Sequence, residues 1–195
     1  MKKIILAICA IALMASEASA LSFKWTATGV SFDGSRLNSN TGVTGYLIYL
    51  GSEGSLNDSY ALTDTSDAAS IASSIGTKLE PSANKTSAVG KLTGTFTFDY
   101  GTYDNGDAFA VLLEYTGAAD GKTYYNLATD VVTLSGIADE RSTISDAAFS
   151  FSYSTAGEKS AISKGGGWTA AAVPEPSTAA LALAGLALLL KRRKA

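Results

Sequence analysis

The sequence predicts an all-β body, an antiparallel β-sandwich or jelly roll with one short helix, set between an N-terminal signal peptide and a C-terminal transmembrane helix. Three observations carry that prediction. Stretches such as LTGTFTFDY (92–100) and AAFSFSYS (147–154) alternate aromatic residues with Ser, Thr or Asp, the period of two that marks a half-buried strand. Turn-forming Gly, Asn, Asp and Ser separate the apolar runs, and one short stretch alone has helical spacing. Each end of the chain carries an apolar run flanked by basic residues. The expected organisation is a signal peptide over 1–20, a secreted all-β domain over 21–164, a Gly-rich spacer over 165–172 and a C-terminal segment over 173–195 made of Pro-Glu-Pro, an apolar helix and a basic tip.

The chain opens MKKIILAICAIALMASEASA. Lys2 and Lys3 form a charged head, Ile4 to Ala15 an apolar core, and Ala18-Ser19-Ala20 a small-residue cleavage site. Passage through the Sec translocon and cutting by signal peptidase after Ala20 follow, with Leu21 as the first mature residue. Cys9, the one cysteine, lies inside the apolar core and leaves with it. A lipoprotein would need a small residue just before that cysteine, and Ile8 is not one.

Ser22 to Phe32 reads as a first strand, with Phe23 and Trp25 on one face. Asp33 to Gly42 is a polar loop, and Val43 to Leu50 (VTGYLIYL) is a strand buried on both faces from Tyr46 onward. Gly51 to Asp58 turns. The helix is expected over Asp67 to Ile75, with Ser66 as N-cap, Gly76 as C′, and Ala68, Ile71, Ala72 and Ile75 on one face. Lys78 to Val89 is polar, contains Pro81 and reads as a loop. In the strand over Leu92 to Tyr100, Phe96, Phe98 and Tyr100 share the inner face. Gly101 to Asp107 is a hairpin-type turn with Asn105-Gly106 at its tip. Ala108 to Tyr115 (AFAVLLEY) is the most apolar strand and belongs at the centre of a sheet. Two short strands follow over Thr123 to Leu127 and Asp130 to Leu134. A last one, over Ala147 to Ser154, places Phe149, Phe151 and Tyr153 inside.

Composition narrows the chemistry. The whole chain has no histidine, 15 Lys and Arg, 18 Asp and Glu, and a net charge of −3. The signal takes two basic residues and Glu17, and the tail takes four basic residues and Glu175. The remaining body holds nine basic and 16 acidic residues, a balance near −7 that opposes nucleic acid and anionic lipid. Without Cys or His, the body cannot build disulfides, thiolate nucleophiles, Cys/His zinc sites or His-based triads. No cofactor and no metal are expected.

Three constellations remain to be weighed. Asp99, Asp104, Asn105 and Asp107 crowd one turn and offer oxygen ligands for Ca²⁺, but these are also the residues tight turns select. Glu114 stands beside Leu113 on the apolar strand, where burial would make it a general acid; it reads more simply as an outward residue, and no second carboxylate is fixed to it by spacing. Trp25, Trp168, Tyr124 and Tyr125 offer stacking surface for a sugar, and Trp168, among glycines, is the candidate ligand residue.

The tail reads VPEPSTAALALAGLALLLKRRKA (173–195). Pro174 and Pro176 hold Glu175 in a stiff, extended element that loses little entropy when a groove binds it. The 14 uncharged residues from Ser177 to Leu190 make a helix of roughly 21 Å, short against a hydrocarbon core of about 30 Å. Lys191, Arg192, Arg193 and Lys194 follow and set a cytoplasmic orientation for the tip, with the body outside.

This order of Pro-Glu-Pro, Ala/Leu helix and basic cluster, with the Gly165-Gly166-Gly167-Trp168-Thr169 lead-in, closely resembles the PEP-CTERM sorting signal of Gram-negative-type bacteria. The resemblance implies recognition at Pro174, Glu175 and Pro176 by an exosortase, a polytopic membrane protease or transpeptidase. It also implies removal of the tail near that point and release or attachment of the body at the cell surface. Such substrates accompany exopolysaccharide and biofilm systems. The expected function is thus a non-catalytic surface or extracellular-matrix protein. A carbohydrate-binding module of the exopolysaccharide layer is the second reading, and a carboxylate-only hydrolase the third.

Overall fold

In a computed structural model, the described residues are 20–37, 42–63, 65–79, 86–88 (backbone alone) and 90–172. The expected signal-peptide residues before Ala20 and the tail from Val173 onward, with Pro174, Glu175, Pro176 and the Lys191 to Lys194 cluster, lie outside them. So does the expected membrane helix; among the described residues no helix is long and apolar enough to cross a bilayer.

The body is built from strands and one short helix. The strands are β1 (Ala20–Thr28), β2 (Ser31–Phe32), β3 (Ser35–Arg36), β4 (Val43–Ser52), β5 (Ser59–Ala61), β6 (Thr77–Lys78), β7 (Thr86–Ala88) and β8 (Lys91–Asp99). They continue with β9 (Asp107–Tyr115), β10 (Tyr124–Leu127), β11 (Val132–Thr133), β12 (Ala147–Phe149), β13 (Thr155–Lys159), β14 (Ala161–Ser163) and β15 (Trp168–Ala171). The helix α1 spans Ala68–Ile75.

A small sheet runs β12-β1-β8-β7 and a large one runs β13-β15-β10-β9-β4-β6, with β11 on β9. The sheets face each other across one core. The small sheet contributes Phe23, Trp25, Leu92 and Phe96, and the large one contributes Leu47, Phe109, Leu113 and Trp168. Edge-to-face rings knit the two, Phe23 lying 5.4 Å from Phe109. A second apolar cluster covers the other face of the large sheet, where Ile71 and Ala72 of α1 and Ile162 of β14 meet Ile48, Leu112 and Tyr125. Covered on both sides, β9 is buried at every residue except the half-buried Glu114, which is why its sequence lacks alternation. The outer face of the small sheet is solvated, and β1 alternates buried and exposed along most of its length.

Several expectations are corrected. The sheets are mixed: β12 runs parallel to β1, and β13 parallel to β15. The turn over 101–106 closes no hairpin, because β8 belongs to the small sheet and β9 to the large one. The segment carries the chain from sheet to sheet, and Tyr100, beyond the end of β8, is 48% exposed rather than inward. The polar stretch Lys78 to Val89 contains an edge strand, β7. The last aromatic strand stops at Phe149, leaving Phe151 and Tyr153 half-buried against the core.

The helix starts one residue later than expected. Asp67, not Ser66, is its N-cap: the carboxylate accepts from Ser70 N at 2.7 Å, while Ser70 Oγ accepts from Asp67 N at 3.0 Å. That reciprocal pair satisfies two backbone donors which a helix start would otherwise leave open.

The expected spacer over 165–172 is a structural strand instead. Trp168–Ala171 lies between β10 and β13, hydrogen-bonded on both edges. The triple glycine is what lets it enter. Gly167 has a φ of +81°, and a Cβ there would stand 2.2 Å from Ser154 O.

Candidate functional site at the two ends of the body

The register places the two ends of the described body at opposite poles. Ala170 pairs with Tyr124, Tyr124 with Tyr115, and Tyr115 with Val43, so β15 leaves the large sheet at the Tyr115 end of β9. Ala20 pairs with Asp99, whose strand feeds into the Asp107 end of β9. With nine residues in β9, the poles are about 27 Å apart.

At the exit pole the chain is tied down to its last described residue. Ala172 N donates to Lys159 O at 3.0 Å. Beside it Lys122 and Glu158 form an ion pair, and Tyr124 Oη donates to Asp120 Oδ2 at 2.8 Å. Hydrogen bonds from Lys122 N and Tyr124 hold the Asp120 carboxyl below its ordinary range. Burial, then the bond to Asp120 and its charge, pushes the Tyr124 phenol up to about 12. Burial, then the charges of Glu114 and Asp67, takes Tyr125 to about 12 as well. A groove of about 290 Å³ lies here, lined by Ser66, Lys122, Thr123, Tyr125, Ala170 and Ala171. It has no paired carboxylates, and Tyr125 Oη is already engaged with Ser66 O at 3.2 Å. The pole is a frame that holds the end of β15 in place, up to Ala172.

At the entry pole, Ala20 is exposed and Leu21 is 3% exposed. Ala18, the other expected cleavage-site residue, lies outside the described residues. A cleft of about 330 Å³ runs alongside Ala20 and Leu21, walled by Glu140, Arg141, Ser142 and Ile144.

The residues weighed for chemistry are dispersed and occupied. Trp168 is 0% exposed and packs against Phe32 and Tyr115; its Nε1 donates to Ser31 O at 2.6 Å. It is a core residue and cannot stack on a ligand. Trp25, Tyr124 and Tyr125 are buried too, so the four aromatics build no platform.

Glu114 lies on the outer face of the large sheet, where its Oε2 accepts from Tyr46 Oη at 2.8 Å. Lys78 stands over the Tyr46 ring at 5.5 Å from its centroid.

In the acidic turn, Asp107 Oδ2 accepts from Asp104 N at 2.9 Å and Oδ1 from Tyr49 Oη at 3.1 Å. Asn105 clasps Ile137 through both its side-chain atoms, at 2.7 and 2.9 Å. These side chains bind loops to one another. Among the described residues no group of three or more Asp, Glu, His or Cys converges to hold a metal. The Tyr46–Glu114 bond could not be read from the chain, since its partners meet only through the register of β4 on β9, whereas Tyr124 and Asp120 stand four residues apart in one turn.

The arrangement defines a two-sheet β body whose last strand runs directly into a sorting segment. That segment is assigned by comparison with known families: residues 172–194 match the PEP-CTERM protein-sorting motif. No curated protein and no solved structure matches the chain.

Proposed function

We propose that this chain is a secreted, exosortase-sorted surface or extracellular-matrix protein that works without catalysis in an exopolysaccharide or biofilm layer. The observation that carries the reading is the sorting motif over 172–194, which begins at the residue after the last strand ends. On this reading Pro174, Glu175 and Pro176 are the recognition handle and Lys191 to Lys194 orient the precursor. The Ala/Leu helix holds the chain in the membrane until an exosortase-type enzyme cuts near the handle.

The body supports a passive role. It has no imidazole or thiol, and Glu114, the most enclosed glutamate among the described residues, is hydrogen-bonded to a tyrosine. The glycan-binding alternative has lost its stacking surface, since the aromatics proposed for it lie inside the core.

The test is Glu175→Ala. The variant should accumulate as full-length precursor in the membrane fraction while the parent chain is trimmed. Normal trimming of the variant would contradict a recognition role for that carboxylate.

A further inference from the structure

We propose that the folded body masks its own signal-peptide cleavage bond, so that cutting must precede the docking of β1. This rests on reading Ala18-Ser19-Ala20 as the cleavage site, a reading independent of the C-terminal motif. Hydrolysis consumes one water, breaks the bond between the Ala20 carbonyl carbon and Leu21 N, and leaves a carboxylate on Ala20 and an ammonium on Leu21. A peptidase needs that bond extended, with its backbone groups free and the flanking side chains within reach.

In the folded chain the bond is extended, as part of β1, but its backbone is engaged and the side chain after it is out of reach. Ala20, Leu21 and Ser22 are paired in the ladder to Asp99, Phe98 and Thr97. Leu21, the residue just after the bond, is 3% exposed and belongs to the inter-sheet core. The opposite edge is flanked by the loop that carries Glu140 to Ile144. No slack separates signal from fold, because β1 begins at Ala20 itself.

The topology also supplies the time in which to cut. The partner of Leu21 is Phe98, 77 residues later in the chain. At about 5–20 residues per second of synthesis, the β1–β8 ladder cannot close for roughly 4–15 s after Leu21 is made. Once it closes, an uncut chain exposes the bond only through the minor population in which the end of β1 opens.

The experiment uses the full-length precursor in detergent and a purified bacterial signal peptidase, with products read by intact mass and N-terminal sequence. The folded precursor should be cut at least about 100-fold more slowly than the same chain diluted from urea into the peptidase. Both should yield Leu21 as first residue. Along a urea series the cutting rate should follow the loss of tryptophan fluorescence from the native state. Inserting Gly-Ser-Gly-Ser-Gly-Ser between Ala20 and Leu21 moves the bond out of the strand, and the folded insertion variant should be cut within a few-fold of the unfolded rate. Equal rates for folded and unfolded parent chains, with Leu21 first in both, would overturn the proposal while leaving the cleavage site intact. A product beginning at Ser19, or no cutting of either form, would remove the cleavage-site reading and the proposal with it.

Discussion

Trp25 fills the centre of the core at 0% exposure, and two glycines make its place. Gly94, its partner on β8, would put a Cβ 2.4 Å from the indole Nε1; Gly45, on the facing sheet, would put one 2.6 Å from Cη2. Neither glycine has a left-handed backbone, so what they supply is room. Gly94→Ala should therefore destabilise the body by about 1–3 kcal/mol, measured by urea unfolding with an unchanged m-value. A fully stable variant would show that the ring can shift. Tyr124 and Tyr125 give a second prediction at this scale. Their phenols are raised to about 12 in the folded chain against about 10 when unfolded, so their contribution is complete below pH 10 and is lost as pH rises through 12. Stability, followed with tyrosinate absorbance, should hold to about pH 10 and then fall. A decline complete before pH 10 would contradict the buried positions of the two rings.

The one helix among the described residues depends on its cap. Ser70 holds the exposed Asp67 carboxyl below its ordinary range, through its backbone N–H first and its hydroxyl second. A lowered carboxylate contributes above its unfolded value and loses that contribution as pH falls through its folded one. Asp67→Ala should lower the melting temperature by about 2–4 °C near neutral pH, and the difference from the parent should vanish in strong acid. An acid-independent difference would point to packing instead of the cap. The helix was legible in the sequence to within one residue, because Ala68, Ile71 and Ala72 repeat at helical spacing over a few consecutive positions. The strand faces of Phe23 and Trp25, and of Phe96 and Phe98, were legible for the same reason. Partners were not. Nothing local distinguishes a turn that closes a hairpin from one that switches sheets, and the parallel neighbour of β1 lies more than a hundred residues away. Trp168–Ala171 escaped because four residues behind three glycines read as a linker; pairing on both edges, invisible in the chain, makes them a strand.

At the scale of the whole molecule, the described fold reaches from Ala20 to Ala172. β1 starts at Ala20 and the last described backbone bond is at Ala172, with the poles about 27 Å apart. The sorting motif could be read directly because its three parts follow one another in sequence and need no fold to assemble. The Lys122–Glu158 pair beside the exit could not, because it exists only once β10, β13 and β15 are in register. On the proposed function, two trimmed ends carry the sorting instructions and the β body between them is the cargo. Intact mass of the protein extracted from the native cell surface tests this most directly. The expected mass is that of a chain beginning at Leu21 and lacking the Ala/Leu run and the basic tip, plus any attached anchor. A full-length 195-residue mass recovered from the cytosol would contradict it.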